Sequence, residues 1–280
     1  MKPRWFQLVS HIGQFKTLNP DYSFPLNFTQ KAEILNKSHK KMSQQVIDLN
    51  KQHFDKMALD WGTNPIFAEM SRKFATGIME ELRKHLTNQS SMQVMDFGCG
   101  TGALSLYLLN EYGQSVECLD AVDVSEGMLK QFAEKKEKLV GEGMLNGNLL
   151  QIHNLNLTTD DHALIGKKNS YDLIVSSMCF HHLPNIPEKL KLFASYLKPS
   201  GKLVFLDMDK DFPLIETFHP RNMGDELQYE SGFSEAELRE WLDLAGFENH
   251  QFARNVTIEK KGWDDVMRSY TLMTTTSFKK

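Results

Sequence analysis

From Ser91 to Met208 the chain repeats one unit: a short apolar run followed by a stretch with helical spacing. Few folds can absorb that repeat. SMQVMDF, VECLDAVDV, NLLQIHNL, YDLIVSSM and KLVFLDM read as five strands. Between them lie a helix through Ala103, Leu104, Leu106, Leu108 and Leu109, a second from about Glu126 to Val140, and a third from Pro187 to near Leu197, closed by a KPSG turn. Such alternation predicts parallel strands joined by right-handed helical crossovers. Strands apolar on both faces predict a sheet covered on both sides.

The flanks differ. Residues 1–40 carry no sustained period and read as an irregular arm. Helical spacing begins near Lys41, and a second helix follows Asn64, with Pro65 in the first turn, where a missing N–H costs nothing. Residues 41–90 thus read as a helical lid and 91–280 as the main domain. Near the end, Ser234 and Glu237 form a capping box and Gly246 stands where a helix stops. Two strand-like segments, 248–259 and 269–278, then pair as a hairpin whose polar alternation suggests a sheet edge.

Composition excludes several classes. A net charge of −4 gives no basic surplus for a nucleic-acid partner. No apolar run is long enough to span a bilayer, so no stable membrane insertion is expected. Cys99, Cys118 and Cys179 show no metal or disulfide spacing, which predicts no metal set and a reducing, cytoplasmic setting. Lys2, Arg4 and Lys16 precede the first acid, Asp21, a weak likeness to an organellar presequence.

The strongest local motif is DFGCGTG, Asp96 to Gly102, between the first strand and its helix. Glycines let the backbone turn sharply and approach a ligand, and the N–H groups of the following helix face that ligand. The spacing is G-x-G-x-G; a nicotinamide-type G-x-G-x-x-G would need glycine where Ala103 stands. An acid two residues before the first glycine suits a cofactor with an ammonium group. Asp123 ends the second strand, where a carboxylate can accept from both ribose hydroxyls; Asp120 competes but lies inside the strand pattern.

VMDFGCGTGALSLYLL, LDAVDVSEGMLKQF, YDLIVSSMCFHHL and LKPSGKLVFLDMD together resemble the class I S-adenosylmethionine-dependent methyltransferases over about residues 91–260. The resemblance is to small-molecule and quinone-biosynthesis members. It implies a Rossmann-like α/β fold with a seven-stranded, mostly parallel sheet, an antiparallel strand near the C-terminus and an N-terminal helical lid. It also implies that Asp96, Gly98, Cys99, Gly100 and Gly102 wrap the methionine part of S-adenosylmethionine, that Asp123 binds ribose, and that Val124 and Met128 lie near adenine. The family's third acid falls on HNLNLTT, where Asn156, or else Asn154, is offered instead.

Methyl transfer from a sulfonium is an in-line displacement that depends mainly on positioning; a base is needed only for a weakly acidic or protonated acceptor. His182, and less so His181, follows the fourth strand beside the expected sulfonium, where imidazole can take a proton. His219 sits in a long insertion, residues 207–233, holding seven acids, two bases and the aromatics Phe212, Phe218, Tyr229 and Phe233. The insertion reads as an acidic, aromatic substrate lid or as a solvated loop with packing anchors. Phe54 and Trp61 of the amino-terminal helices are further candidate walls, or ordinary helix-packing residues. The expected function is methylation of a small-molecule acceptor at O, C or N. A protein methyltransferase and a non-catalytic cofactor-binding protein of the same fold are the alternatives. SSMC in place of NPPY after strand four disfavours amide-type nitrogen acceptors.

Overall fold

In the computed structural model the described residues are 28–87, 90–157, 164, 166–219 and 231–280, with side chains from residue 43 onward. The chain divides into units 1–42 and 43–280, and the candidate site lies in the second. The first helix, α1 (Phe28–Thr63), starts well before Lys41, so residues 28–40 are helical rather than irregular. Asn64 caps α2 (Pro65–His85) by accepting from the Ile66 N–H, with Pro65 at the first helical position. The helix buries Phe74, Ile78 and Leu82 but leaves Ile66 exposed.

The repeat then unfolds as expected: β1 (Met92–Phe97), α3 (Ala103–Tyr112), β2 (Val116–Asp123), α4 (Glu126–Gly141), β3 (Leu150–Asn154), β4 (Tyr171–Ser177), α5 (Ile186–Tyr196) and β5 (Leu197–Met208). The end of the chain is α6 (Glu235–Ala245), β6 (Phe247–Lys261) and β7 (Met267–Lys279). The seven strands lie in the order β3-β2-β1-β4-β5-β7-β6, the first five parallel and β7 antiparallel to both its neighbours. Successive residues of β1 face opposite layers. Val94 joins the core under α2 and α3, and Met95 the core under α5 and α6. Covering both faces explains the unbroken apolar strands.

Two local readings change. The KPSG segment is a bulge inside β5 rather than a free turn: Leu197 pairs with Tyr171 and Lys202 with Leu173, and Ser200 absorbs the surplus residues at φ 62°. The terminal hairpin supplies one edge strand, β6, and one interior strand. β7 is inserted between β5 and β6, so Thr274, Thr275 and Thr276 are buried although they read as polar. The capping box of α6 forms as read, and Gly246 ends it at φ 90°. Among the described residues no helix is long and apolar enough to cross a membrane. The presequence-like residues 1–20 lie outside the described part.

Candidate active site

Among the described residues a cavity opens at the carboxyl ends of β1, β2 and β4, under the inner face of α1. Its floor is the glycine loop. Gly98, Gly100 and Gly102 have φ of 70°, 52° and 83°, the left-handed region that glycine enters without cost. A Cβ on Gly98 would strike the Cys179 sulfur and one on Gly102 the Phe132 ring, while above Gly100 the space is open. The loop is therefore packed from below and clear on the cavity side.

Asp96 is 1% exposed yet lines the cavity. Its Oδ2 accepts from Ser105 Oγ at 2.6 Å, while Oδ1 is buried with no partner. Burial pushes this carboxyl up to about 7; the Ser105 hydrogen bond works against that shift, and the charge of Asp123 adds to it. A buried acceptor without a partner, on a residue that lines a cavity, is unusual unless a donor arrives there. Asp123 is better served: Oδ2 accepts from Gly100 N–H and Oδ1 from Ser125 N–H, both at 2.9 Å. It therefore ties the first βα turn to the second, and a carboxylate has lone pairs left for further donors. Burial raises its pKa as well, against its backbone hydrogen bonds.

Cys99, Val124, Met128 and Asn156 also line the cavity, and burial holds the Cys99 thiol neutral. Asn154 does not. Its amide donates to the Asp123 and Val124 carbonyls at 3.3 and 3.0 Å, fastening the end of β3. Asp120 is likewise structural, bonded to His153 at 2.7 Å and to the Tyr171 hydroxyl at 2.8 Å. Burial opposes its ionisation, but those hydrogen bonds and Lys167 keep its pKa low.

At the far end stands a single 3-10 turn, Phe180–His182, after β4. His182 lines the cavity together with Phe54, which meets it edge-on at 5.1 Å, and Trp61, which stacks on Phe67 at 4.7 Å. His181 and His219 lie behind His182 rather than on the cavity wall, with ring centroids 4.0 and 5.5 Å from it. His181 Nδ1 meets Asp207 Oδ1 at 2.6 Å, and His181 Nε2 meets His219 Nε2 at 3.0 Å. Asp207 is pinned by the N–H groups of Phe180 and Met208 at 2.9 and 2.8 Å. Burial, then the neighbouring His181, His182, Lys260 and His53, drives the pKa of His219 far down, so its ring stays neutral.

The 207–233 insertion separates in two. Asp207 and Asp209 are buried ligands of His181 and Arg254, not parts of an acidic rim. Phe218 and Phe233 are core residues, and Phe212 packs against the core, so the packing-anchor reading holds for them. Residues 220–230, with Asp225, Glu226 and Glu230 of the seven acids and with Tyr229, lie outside the described residues.

Two groups escaped the sequence reading. Asp55 of α1 accepts from Ser125 Oγ at 2.7 Å and from Gly127 N–H at 2.9 Å, so the lid helix caps α4 from outside. Its pKa is low because these bonds and Lys51 outweigh its burial. Asn50 donates to the His182 carbonyl at 2.8 Å, while its own Oδ1 is buried without a partner in the cavity wall. No local motif announces either residue; in sequence they are polar positions in a long helix.

A family model described as "Methyltransferase domain" matches residues 67–251. An uncharacterised methyltransferase of Schizosaccharomyces pombe is 29% identical over 140 residues, 50% of this chain and 45% of that protein. A malonyl-[acyl-carrier protein] O-methyltransferase of Halalkalibacterium halodurans is 30% identical over 165 residues, 57% of this chain and 55% of that protein. The matches thus span about half the length of these relatives. Among solved structures, magnesium protoporphyrin IX methyltransferase of Synechocystis PCC 6803, with S-adenosylmethionine bound, superposes with a TM-score of 0.53 at 18% identity. That likeness of fold covers 85% of this chain and 97% of the other.

Proposed function

Since this chain belongs to the class I S-adenosylmethionine-dependent methyltransferases, we propose that it methylates a small-molecule acceptor at O, C or N by in-line displacement. The observation that carries the reading is the continuity of one cavity from the unpartnered oxygen of Asp96 to His182. The residues fit the cofactor. Asp96 Oδ1 offers a buried acceptor to an ammonium group, and the space above Gly100 admits a ligand against the backbone. Asp123 is the acceptor for ribose hydroxyls, Val124 and Met128 flank the base, and Asn156 meets the adenine amino group.

The cofactor supplies a methyl group already activated on a sulfonium. The protein's share is alignment and exclusion of water. Phe54 and Trp61 close the cavity from the α1 side, and Asn50 holds the backbone of the histidine turn against α1. His182 is the cavity-facing base, placed to take the acceptor proton. His181 and Asp207 act through it as positioning residues, since the His181 ring lies tilted against it at 4.0 Å and is locked by the carboxylate.

The test incubates the protein and trideuteromethyl cofactor with a metabolite extract and reads products by mass spectrometry. A small molecule that gains one trideuteromethyl group in place of hydrogen supports the reading. Label found on protein alone, or cofactor binding without any labelled product, overturns it.

A further inference from the structure

His181, His182 and His219 bring three imidazoles together, with one ligand nitrogen from each within 4.8 Å of the others. We propose that they form a site for a divalent transition metal of the zinc type, at the acceptor end of the cavity. No metal-ligand spacing marks them along the chain, because two of the residues are adjacent and the third is 37 positions further on.

The chemistry of the donors selects the ion. Neutral imidazoles suit zinc, cobalt, nickel and copper rather than magnesium or calcium, which take oxygen. His181 is already set up. Asp207 Oδ1, at 2.6 Å, holds the ring proton on Nδ1, so Nε2 presents its lone pair to the cluster. A carboxylate behind a histidine in this way orients the ring and raises its basicity toward a metal. Asp207 is itself immobilised by the Phe180 and Met208 amides, so this outer support is rigid.

The spacing agrees. Two nitrogens bound to one zinc at about 2.0–2.1 Å sit roughly 3.3–3.4 Å apart in a tetrahedron. His181 Nε2 and His219 Nε2 are 3.0 Å apart, so a small opening of that pair admits the ion. His182 needs a side-chain shift on the order of 1 Å, given that spread. Three protein ligands leave a coordination position free, the arrangement of catalytic rather than structural sites. His182 is also part of the cavity wall, so the site adjoins the acceptor end of the cavity. Resting here on the methyltransferase reading, His182 would be a ligand rather than a base once the ion is bound, and the ion would take over that part by lowering the pKa of an acceptor oxygen at the open position.

The experiment uses the full chain, stripped with a chelator and titrated with cobalt(II) alone. One equivalent should bind with the intense visible bands of a nitrogen-ligated tetrahedral ion, displaced by zinc. His219→Ala and His181→Gln should each abolish those bands, and Asp207→Asn should weaken binding about 10–100-fold. Calorimetry with S-adenosylmethionine on the same proteins separates the two claims, because neither His181 nor His219 lines the cofactor cavity. Metal loss with cofactor binding kept supports the site. Cobalt binding unchanged in both histidine variants, or no tight cobalt binding by the wild-type chain, overturns it whatever the cofactor result. If His181→Gln fails to fold, His219→Ala alone decides.

Discussion

At the glycine-loop end of the cavity, the polar groups come from two neighbouring βα turns, Asp96–Gly102 and Asp123–Ser125, on adjacent parallel strands. At the histidine end they come from α1, the turn 180–182, Asp207 and His219, four separate stretches. The first arrangement is held by backbone: a carboxylate that accepts two main-chain N–H groups and glycines whose φ values leave little choice. The second is held by side chains and by the seating of a helix. A cofactor shared across a family can use the first kind of site repeatedly, whereas the second can be rebuilt for each acceptor by changing a few contacts.

If that contrast is right, substitutions at the two ends should separate kinetically. The largest effect is expected for His182→Ala. Loss of the base should lower kcat by about 10²–10⁴-fold while cofactor affinity, read by calorimetry, changes little. An equal fall in cofactor affinity would break the division between the ends. Next comes Asp96→Asn. Replacing a charge-assisted bond worth about 1.5–3 kcal/mol should weaken cofactor binding roughly 10–100-fold. Retained affinity would remove Asp96 from the proposed site.

Proton linkage sharpens the same end. The Asp96 carboxyl is raised to about 7 in the folded chain from an ordinary 3.8. In that window the folded state holds a proton that the unfolded state has lost, so this group lowers stability as pH rises from about 4 to about 7. An ammonium partner needs the ionised form. Cofactor should therefore raise the melting temperature more at pH about 8 than at pH about 5.5, with proton release on binding below pH about 7. Equal shifts at the two pH values would contradict the pairing.

Asp55→Ala tests the lid. It removes the acceptor for Ser125 Oγ and Gly127 N–H, a loss comparable to that of a helix cap, about 1–2 kcal/mol in thermal unfolding. Activity should fall as well, since α1 also carries Asn50, Phe54 and Trp61. The smallest effect is expected for Ser234→Ala, which removes the capping box of α6 far from the cavity. It should cost about 1 kcal/mol and leave kcat unchanged.

How far each part could be read in advance follows from where its information lies. Each strand of the repeat and its helix carry their own period, and β1 through β5 emerged in order with ends displaced by a residue or two, apart from the start of β5. Asp96, Gly98, Gly100, Asp123, Val124, Met128 and Asn156 all reached the cavity, because each lies within a few residues of a strand end, whereas Gly102 packs against Phe132 and does not line it. Asp55 and Asn50 were invisible, since their roles depend on which face of α1 meets α4 and the histidine turn. Phe218 and Phe233 misled in another way: an aromatic residue in a long insertion looks the same whether it covers a ligand or fills a core.

The sequence by itself determined the parallel βα repeat, the sharp glycine turn with an acid before it, and the capped helix near the end, because short-range periodicity and turn chemistry act over a few residues. The tertiary structure alone decided that β7 threads between β5 and β6, that α1 closes over the cavity through Asp55, and that His219 comes to rest 3.0 Å from His181. Those outcomes depend on long-range packing and on hydrogen bonds between residues tens of positions apart, for which no local pattern exists.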